Sequence, residues 1–367
     1  MVKVPYNNKI ISNSNVFRRK SLIKRSSWLT SDGLFKIIII ILAVVVFLRI
    51  FFASGYVDHL FIFETTTTTT KEAVITSQYY NVSQIVKFQE PLVRAPQTVV
   101  TAYFQIRSKH SSDKYNTWIT NMLSLQDPMV IFLSPALIPQ IKELRKHALN
   151  RTVIIPMEIS DVPLARNYNA SFWEHQFDID REKRIHRSYQ VFWIWLSKSW
   201  WVVEAIRHNF FHSQVFVWSD MGCFRNTAYN NKEMVQHPET VPRRAMLFLA
   251  HHDTNPPPTR IWNSKHLLKP WHFYHSGSIM AGYGDTFQQF HQQFMVTMDE
   301  FLTRNMFIGE DQLVMQSACL LNPQLCAYIK HTDVRDNYYF GLRYVLHHGG
   351  QYDLWYPPGL DEPLPSK

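Results

Sequence analysis

Asp220 is the residue whose type and position first suggest chemistry. An apolar run, Val215 to Trp218, stops at Ser219 and Asp220, and Gly222, Cys223 and Arg225 follow within the stretch FVWSDMGCFR. A buried strand that ends in a carboxylate and then a glycine sets a charge at the C-terminal edge of a sheet, where open α/β sheets take their ligands. Such a carboxylate can hold a divalent cation through oxygen, and the cation can grip a diphosphate. The plainer alternative is a strand followed by a turn of the Asp-Gly kind. Two further acids, Glu310 and Asp311, open a helix after Gly309 in FIGEDQLVMQS. Acids in a first helical turn are favoured by the helix dipole. One that also faces the sheet edge can accept a proton or a hydrogen bond from a sugar hydroxyl. His251, His252 and Asp253 are also metal-ligand types, but sequence neighbours seldom converge on one ion, and a strand-end loop is the expected reading.

The elements that position these groups read as an α/β domain. Thr98–Ile106 is β-branched and aromatic, as a buried first strand should be. Helix is expected over Lys114–Leu125, strand over Met129–Leu133, helix from Ser134-Pro135, and strand over Thr152–Pro156. That alternation implies a parallel sheet with crossover helices. A long helix from about Arg184 to Asn209, with Ile185, Tyr189, Phe192, Leu196, Val203 and Ile206 on one stripe, delivers the chain to Val215. Ala245–Ala250 is a further strand, and Phe273–Tyr283 is strand-like, with Gly277, Ser278, Ala281 and Gly282 small enough for close approach. Asp285 is expected to cap a helix whose apolar face is Phe287, Phe290, Phe294, Met298 and Phe301.

The N-terminal part sets the compartment. The formal net charge is +9, and +7 of it falls in residues 1–36, so the body is nearly neutral and gives little reason to expect nucleic-acid binding. Leu34–Ala53 is almost continuously apolar and long enough to cross a bilayer of about 30 Å. The basic cluster precedes it, so the positive-inside rule leaves the tail cytoplasmic and the bulk luminal. The expected organisation is a basic tail (1–33), a signal-anchor span (34–53), a stem (54–96) and a luminal domain (97–367). The stem carries the threonine run Thr65–Thr70, either an O-glycosylated spacer or a plain linker. Sequons at Asn81, Asn150 and Asn169 agree with a luminal side. Cys319 and Cys326 flank the helix-breaking Asn322-Pro323. A disulfide in an oxidising lumen and a reduced buried pair both suit that spacing.

The ordered blocks WLSKSWWVVEAI, VFVWSDMGCFR, SGSIMAGYGDTFQQFHQQF and GEDQLVMQS, after TVVTAYFQI, resemble the HtrL/YibB family over about Thr98–Leu354. That family is grouped with glycosyltransferases of the GT-A type. The resemblance implies a Rossmann-like, mixed but mostly parallel sheet flanked by helices, preceded here by one transmembrane helix. It implies an enzyme that moves a sugar from a nucleotide-sugar donor to a glycan or glycoprotein acceptor, and the N-terminal span makes that expectation a type II membrane enzyme of the Golgi or ER. The alternative is an inactive, membrane-anchored carbohydrate-binding or scaffold module. In the GT-A pattern an Asp-x-Asp motif binds Mn²⁺ or Mg²⁺; Asp220 matches the first Asp, and Gly222 stands in place of the second. His347 or His348 would supply a late metal ligand. Asp311, or else Glu310, would be the base. Thr101, Ala102 and Tyr103 would approach the nucleotide through backbone, Lys109 and Lys198 would meet phosphate, and Ser278 to Gly282 would line the donor and acceptor sites.

Overall fold

A computed structural model describes residues 85–107, 109–251, 275–337 and 339–356. The span assigned to Leu34–Ala53, the threonine run, the Asn81 sequon and His252–Asp253 lie outside the described residues. Among the described residues no helix is long and apolar enough to cross a membrane.

The domain is a three-layer α/β structure. In chain order its elements are β1 (Val86–Lys87), β2 (Gln97–Tyr103), α1 (Ser112–Leu123), β3 (Met129–Leu133), α2 (Ile138–Leu144), β4 (Thr152–Pro156), α3 (Pro163–Asn167), α4 (Ala170–Ile179), α5 (Lys183–His186), α6 (Gln190–Leu196), α7 (Lys198–His208), β5 (Val215–Ser219), β6 (Met246–Ala250), β7 (Ile279–Tyr283), α8 (Gly284–Thr303), α9 (Asp311–Leu321), β8 (Cys326–Lys330) and α10 (Leu342–His348). They build one sheet in the order β1-β4-β3-β2-β5-β7-β6-β8. Strands β4, β3, β2 and β5 run parallel, β7 runs against β5 and β6, and β8 is parallel to β6. The expected mixed, mostly parallel sheet is therefore present.

Side-chain alternation along each strand divides the core between the two faces. Val100, Ala102, Val130 and Phe132 pack with Phe192, Trp201, Phe287 and Phe294 of α6, α7 and α8. Val99, Met129, Ile131 and Leu133 pack with Ile119, Met122 and Val345 of α1 and α10 on the other face. The chain leaves β2 toward β3 on one side, while β5 joins β2 from the other. The C-terminal ends of β2 and β5 therefore flank a topological switch point, the place where such sheets open a crevice.

Four expectations are corrected. The single helix over 184–209 is three helices. Arg187 takes a left-handed φ of 65° and ends α5, and Ser197 separates α6 from α7. Of the expected stripe Phe192 and Leu196 are buried and Tyr189 and Ile206 pack partly against the core, but Ile185 is 45% exposed, and α7 turns Trp201, Val202 and Ala205 rather than Val203 to the core. Residue 283, not Asp285, occupies the N-cap of α8; Asp285 instead accepts from Thr286 N at 2.9 Å and pairs with Arg243 at 2.7 Å. Within the described part of the stretch expected as strand, β7 covers Ile279–Tyr283 and His275 makes only an isolated bridge to Ala250, and β8 and α10 were not expected at all. Residues 86–87, placed in the stem, supply an edge strand antiparallel to β4. Cys319 and Cys326 form a disulfide joining the end of α9 to the start of β8.

Candidate functional site

Asp220 follows the last residue of β5, and neighbouring strands hold it there. Its N–H donates to Ser278 O at 2.8 Å, and its own carbonyl accepts from Cys223 N at 3.0 Å, which closes the turn. Trp218 Nε1 donates to Asp220 Oδ1 at 2.8 Å. Beneath the carboxylate lies Lys198, the first residue of α7, brought to the sheet edge by the break at Ser197. Its Nζ is 3.1 Å from Asp220 Oδ1, 2.7 Å from Asp311 Oδ2, and donates to Gly277 O at 2.9 Å. Three acceptor groups thus meet the three protons of the ammonium. Gly277 is required at this point, since a Cβ there would lie 2.9 Å from Asp311 Oδ2.

The two sides of this cluster differ in solvent. The Lys198 and Asp311 side chains are 3% and 6% exposed, whereas that of Asp220 is 32% exposed. Burial works against the Lys198 ammonium, but Asp220 and Asp311 outweigh it and lift its pKa above the ordinary lysine value. Burial raises the Asp311 carboxyl against the pull of Lys198. Next to it Glu310 is pushed up to about 8, by burial first and then by Asp311, Glu182 and Asp180.

The exposed side of Asp220 opens on a cleft of about 520 Å³ at the ends of β2 and β5. Tyr103, Tyr115, Trp118, Trp195 and Phe340 give it aromatic walls, and Arg107, Lys109 and Arg225 bring positive charge. The Arg225 guanidinium sits between two rings, 4.5 Å from the centroid of Trp118 and 4.7 Å from that of Phe340. His186 also lines the cleft. Its Nδ1 is hydrogen-bonded to Asp180 at 2.7 Å, and its Nε2 lies 3.3 Å from Glu182.

Of the residues singled out from sequence, Asp220, Ala102, Tyr103 and Lys109 line this cleft. Lys198 and Asp311 lie under Asp220 and do not line it, and neither does Glu310. Thr101 is fully buried within β2. Ser278 supports the site rather than lining it: its carbonyl receives Asp220 N, and its hydroxyl donates to Tyr339 O at 2.6 Å. Gly282 pairs with Phe216 in the middle of β7, where its missing side chain makes room for Met246. His347 is not brought to Asp220: its Nδ1 donates to Glu233 O at 2.7 Å, and its ring packs on Tyr229. His348 Nδ1 meets Tyr344 O within its own helix.

These residues do not fit the divalent cation expected from the Asp-x-Asp pattern. Asp220 already accepts from Trp218 and from a fixed ammonium, Gly222 offers no side-chain ligand, and His347 and His348 are held elsewhere. Among the described residues no group of three or more His, Cys, Asp or Glu is placed to hold a metal ion. Sequence reading missed Arg225, His186 and Trp118. Arg225 closes the very stretch that drew attention to Asp220, but a guanidinium clamped between rings from α1 and from residue 340 is set by tertiary structure and leaves no local signal.

The HtrL/YibB family, described as a bacterial protein of unknown function, matches residues 95–340. No curated relative matches the sequence. Among solved structures, the apo form of mouse xyloside xylosyltransferase 1 is similar with a TM-score of 0.35 and 10% identity, covering 64% of this chain and 86% of that one.

Proposed function

This chain belongs to the HtrL/YibB family, and we propose that it is a glycosyltransferase that takes a nucleotide-sugar donor into the cleft beside Asp220. The observation that carries the reading is the make-up of that cleft. It opens at the switch point of the sheet, joins aromatic walls to three basic side chains, and exposes one carboxylate at its edge. Aromatic faces suit a nucleobase and the apolar face of a sugar ring. Fixed cations stabilise the charge that a diphosphate gains as the glycosidic bond breaks.

Asp220 would act by orientation. Trp218 and Lys198 fix its rotamer, and its remaining lone pairs face the cleft, where they can accept from sugar hydroxyls. Asp311 and Glu310 lie off the cleft, and His186 has both ring nitrogens engaged by Asp180 and Glu182, so no residue is assigned the role of base. We place the domain in the lumen of the secretory pathway, anchored by Leu34–Ala53, with a glycan or glycoprotein as acceptor. The basic tail and the Cys319–Cys326 disulfide support that setting.

The test is a donor screen. The full-length chain, purified in detergent, is incubated with a panel of nucleotide sugars and assayed for free nucleotide. One donor should be consumed, and Asp220→Asn should slow that by about 10²-fold or more. An Asp220→Asn enzyme with the wild-type rate would remove the assignment. One observation favours a second reading, a carbohydrate-binding module: both buried-cluster carboxylates are engaged by Lys198. Saturable donor binding without turnover would select it.

A further inference from the structure

We infer that the donor's diphosphate is held by Arg225 with Lys109 and Arg107, and that the Lys198 ammonium already engages the Asp220 oxygens a divalent cation would need, so that donor binding needs no metal. This rests on the reading of the cleft as a donor site and specifies what that site grips.

The argument starts from charge balance. Arg107, Lys109 and Arg225 are exposed and line one cleft, and none makes an ion pair with the described residues. Two other exposed arginines of the domain find acids, Arg166 with Asp161 and Arg243 with Asp285, both at 2.7 Å; what sets these three cations apart is that they share one cleft. Three cations with no ion-pair partner among the described residues, gathered at one concave surface, repel one another and are balanced when an anion arrives. The field is felt by a neighbour, since burial and then Lys109, Arg225 and Lys114 lower the pKa of His110.

Arg225 is also pre-organised. Trp118 and Phe340 hold its guanidinium near 4.5 Å and 4.7 Å from their centroids. A stacked guanidinium keeps its N–H groups in plane and directed outward. That fork matches two phosphate oxygens at once, with less side-chain freedom to lose on binding. Trp118 belongs to α1 and Arg225 to the turn after β5, so the clamp spans the switch point itself.

Lys198 completes the case. A cation bridging Asp220 to a diphosphate must coordinate oxygens of Asp220, and the ammonium already sits 3.1 Å from Oδ1 and 3.3 Å from Oδ2. It is anchored from behind by Asp311 and Gly277 O, so it cannot withdraw without leaving Asp311 buried and unpaired. The positive charge that a metal would bring to the leaving group is supplied by side chains.

The experiment titrates inorganic pyrophosphate and the four common nucleoside diphosphates into the full-length chain in detergent, by calorimetry, once with EDTA and once with Mn²⁺. At least one nucleoside diphosphate is expected to bind with the same Kd, within about twofold, in both buffers. Arg225→Gln should weaken it by about tenfold or more. Arg225→Lys should recover only part of the loss, because an ammonium lacks the planar fork. Both variants should still melt cooperatively, with only a small loss of midpoint from the two ring contacts. Binding that requires Mn²⁺, or an Arg225→Gln protein that binds as wild type, overturns this inference while the glycosyltransferase reading stands. Absence of any diphosphate binding in either buffer overturns both.

Discussion

The two edges of the parallel strands each carry a buried cation and a carboxylate, and they use them differently. At the N-terminal edge Arg145 is fully buried and donates to Thr152 Oγ1 at 2.8 Å, to Asp127 O at 2.9 Å, and to the carbonyls of Leu123 and Leu125. The Asp127 carboxylate there is also fully buried and receives the N–H groups of Met234 and Val235 at 2.6 and 3.0 Å. Nearly all of these partners are backbone, and none of the charge reaches solvent. Such a network closes loops and has no capacity left for a ligand. At the C-terminal edge Lys198 is as deeply buried, but two of its three partners are side chains, and one, Asp220, is a third exposed to a cleft. Equal burial therefore carries unequal meaning: a charge satisfied by backbone is structural, and one shared with a carboxylate that still faces a cavity is available for recognition.

Substitutions break the comparison in order of effect. Arg145→Ala leaves several buried carbonyls without a donor and should cost about 3–5 kcal/mol, enough to lose most folded protein, as denaturant melts would show. An Arg145→Ala protein of near wild-type stability would make the N-terminal network dispensable. Removing the disulfide with Cys319→Ser and Cys326→Ser should cost about 2–3 kcal/mol for its short loop and leave the cleft unchanged. Melting with and without reductant checks this, and an unchanged midpoint in reductant would contradict it.

Glu310→Gln sharpens the comparison through pH. The Glu310 carboxyl is raised from 4.5 to about 8, so the folded chain keeps that proton to higher pH than the unfolded chain does. Its contribution is whole below about 4.5 and is lost as pH rises toward about 8. The Gln variant mimics the protonated form. It should match wild type near pH 5 and melt higher near pH 8, so the two melting curves diverge as pH rises. Curves that stay parallel from pH 5 to 8 would show that Glu310 does not feel its acidic neighbours.

Much of the frame was legible. Met129–Leu133 and Thr152–Pro156 are strands at the boundaries read from their apolar runs, because a strand buried on both faces needs an unbroken hydrophobic segment. The Phe287–Phe301 face of α8 is buried throughout, as its helical spacing required. What failed was tertiary. Strand β8 is a five-residue run defined by its pairing with β6 and a bridge from Tyr328 to Trp355. Ile185, Tyr189, Phe192, Leu196, Val203 and Ile206 are spaced in the sequence as one helix would space them, so periodicity alone reads one helix across the breaks at Arg187 and Ser197 and misses that α7 buries Trp201, Val202 and Ala205. Asp220 was located, but its partners were not: Lys198 reads as a solvent-facing phosphate ligand until α7 is seen to start under the sheet edge. His347 was linked to Asp220 by its place late in the chain, whereas α10 carries it to Glu233.

The central claim is that the open side of the Lys198–Asp220 pair is where the donor sits, and a crystal structure of the chain with the donor chosen by the screen tests it most directly. The account predicts the diphosphate within hydrogen-bonding distance of Arg225 and Lys109, a sugar hydroxyl on Asp220, and the Lys198 ammonium still between Asp220 and Asp311. A donor seated at the opposite edge, in the pocket lined by Arg94, Arg151 and Glu239, or a metal ion joining Asp220 to the phosphates, would contradict it.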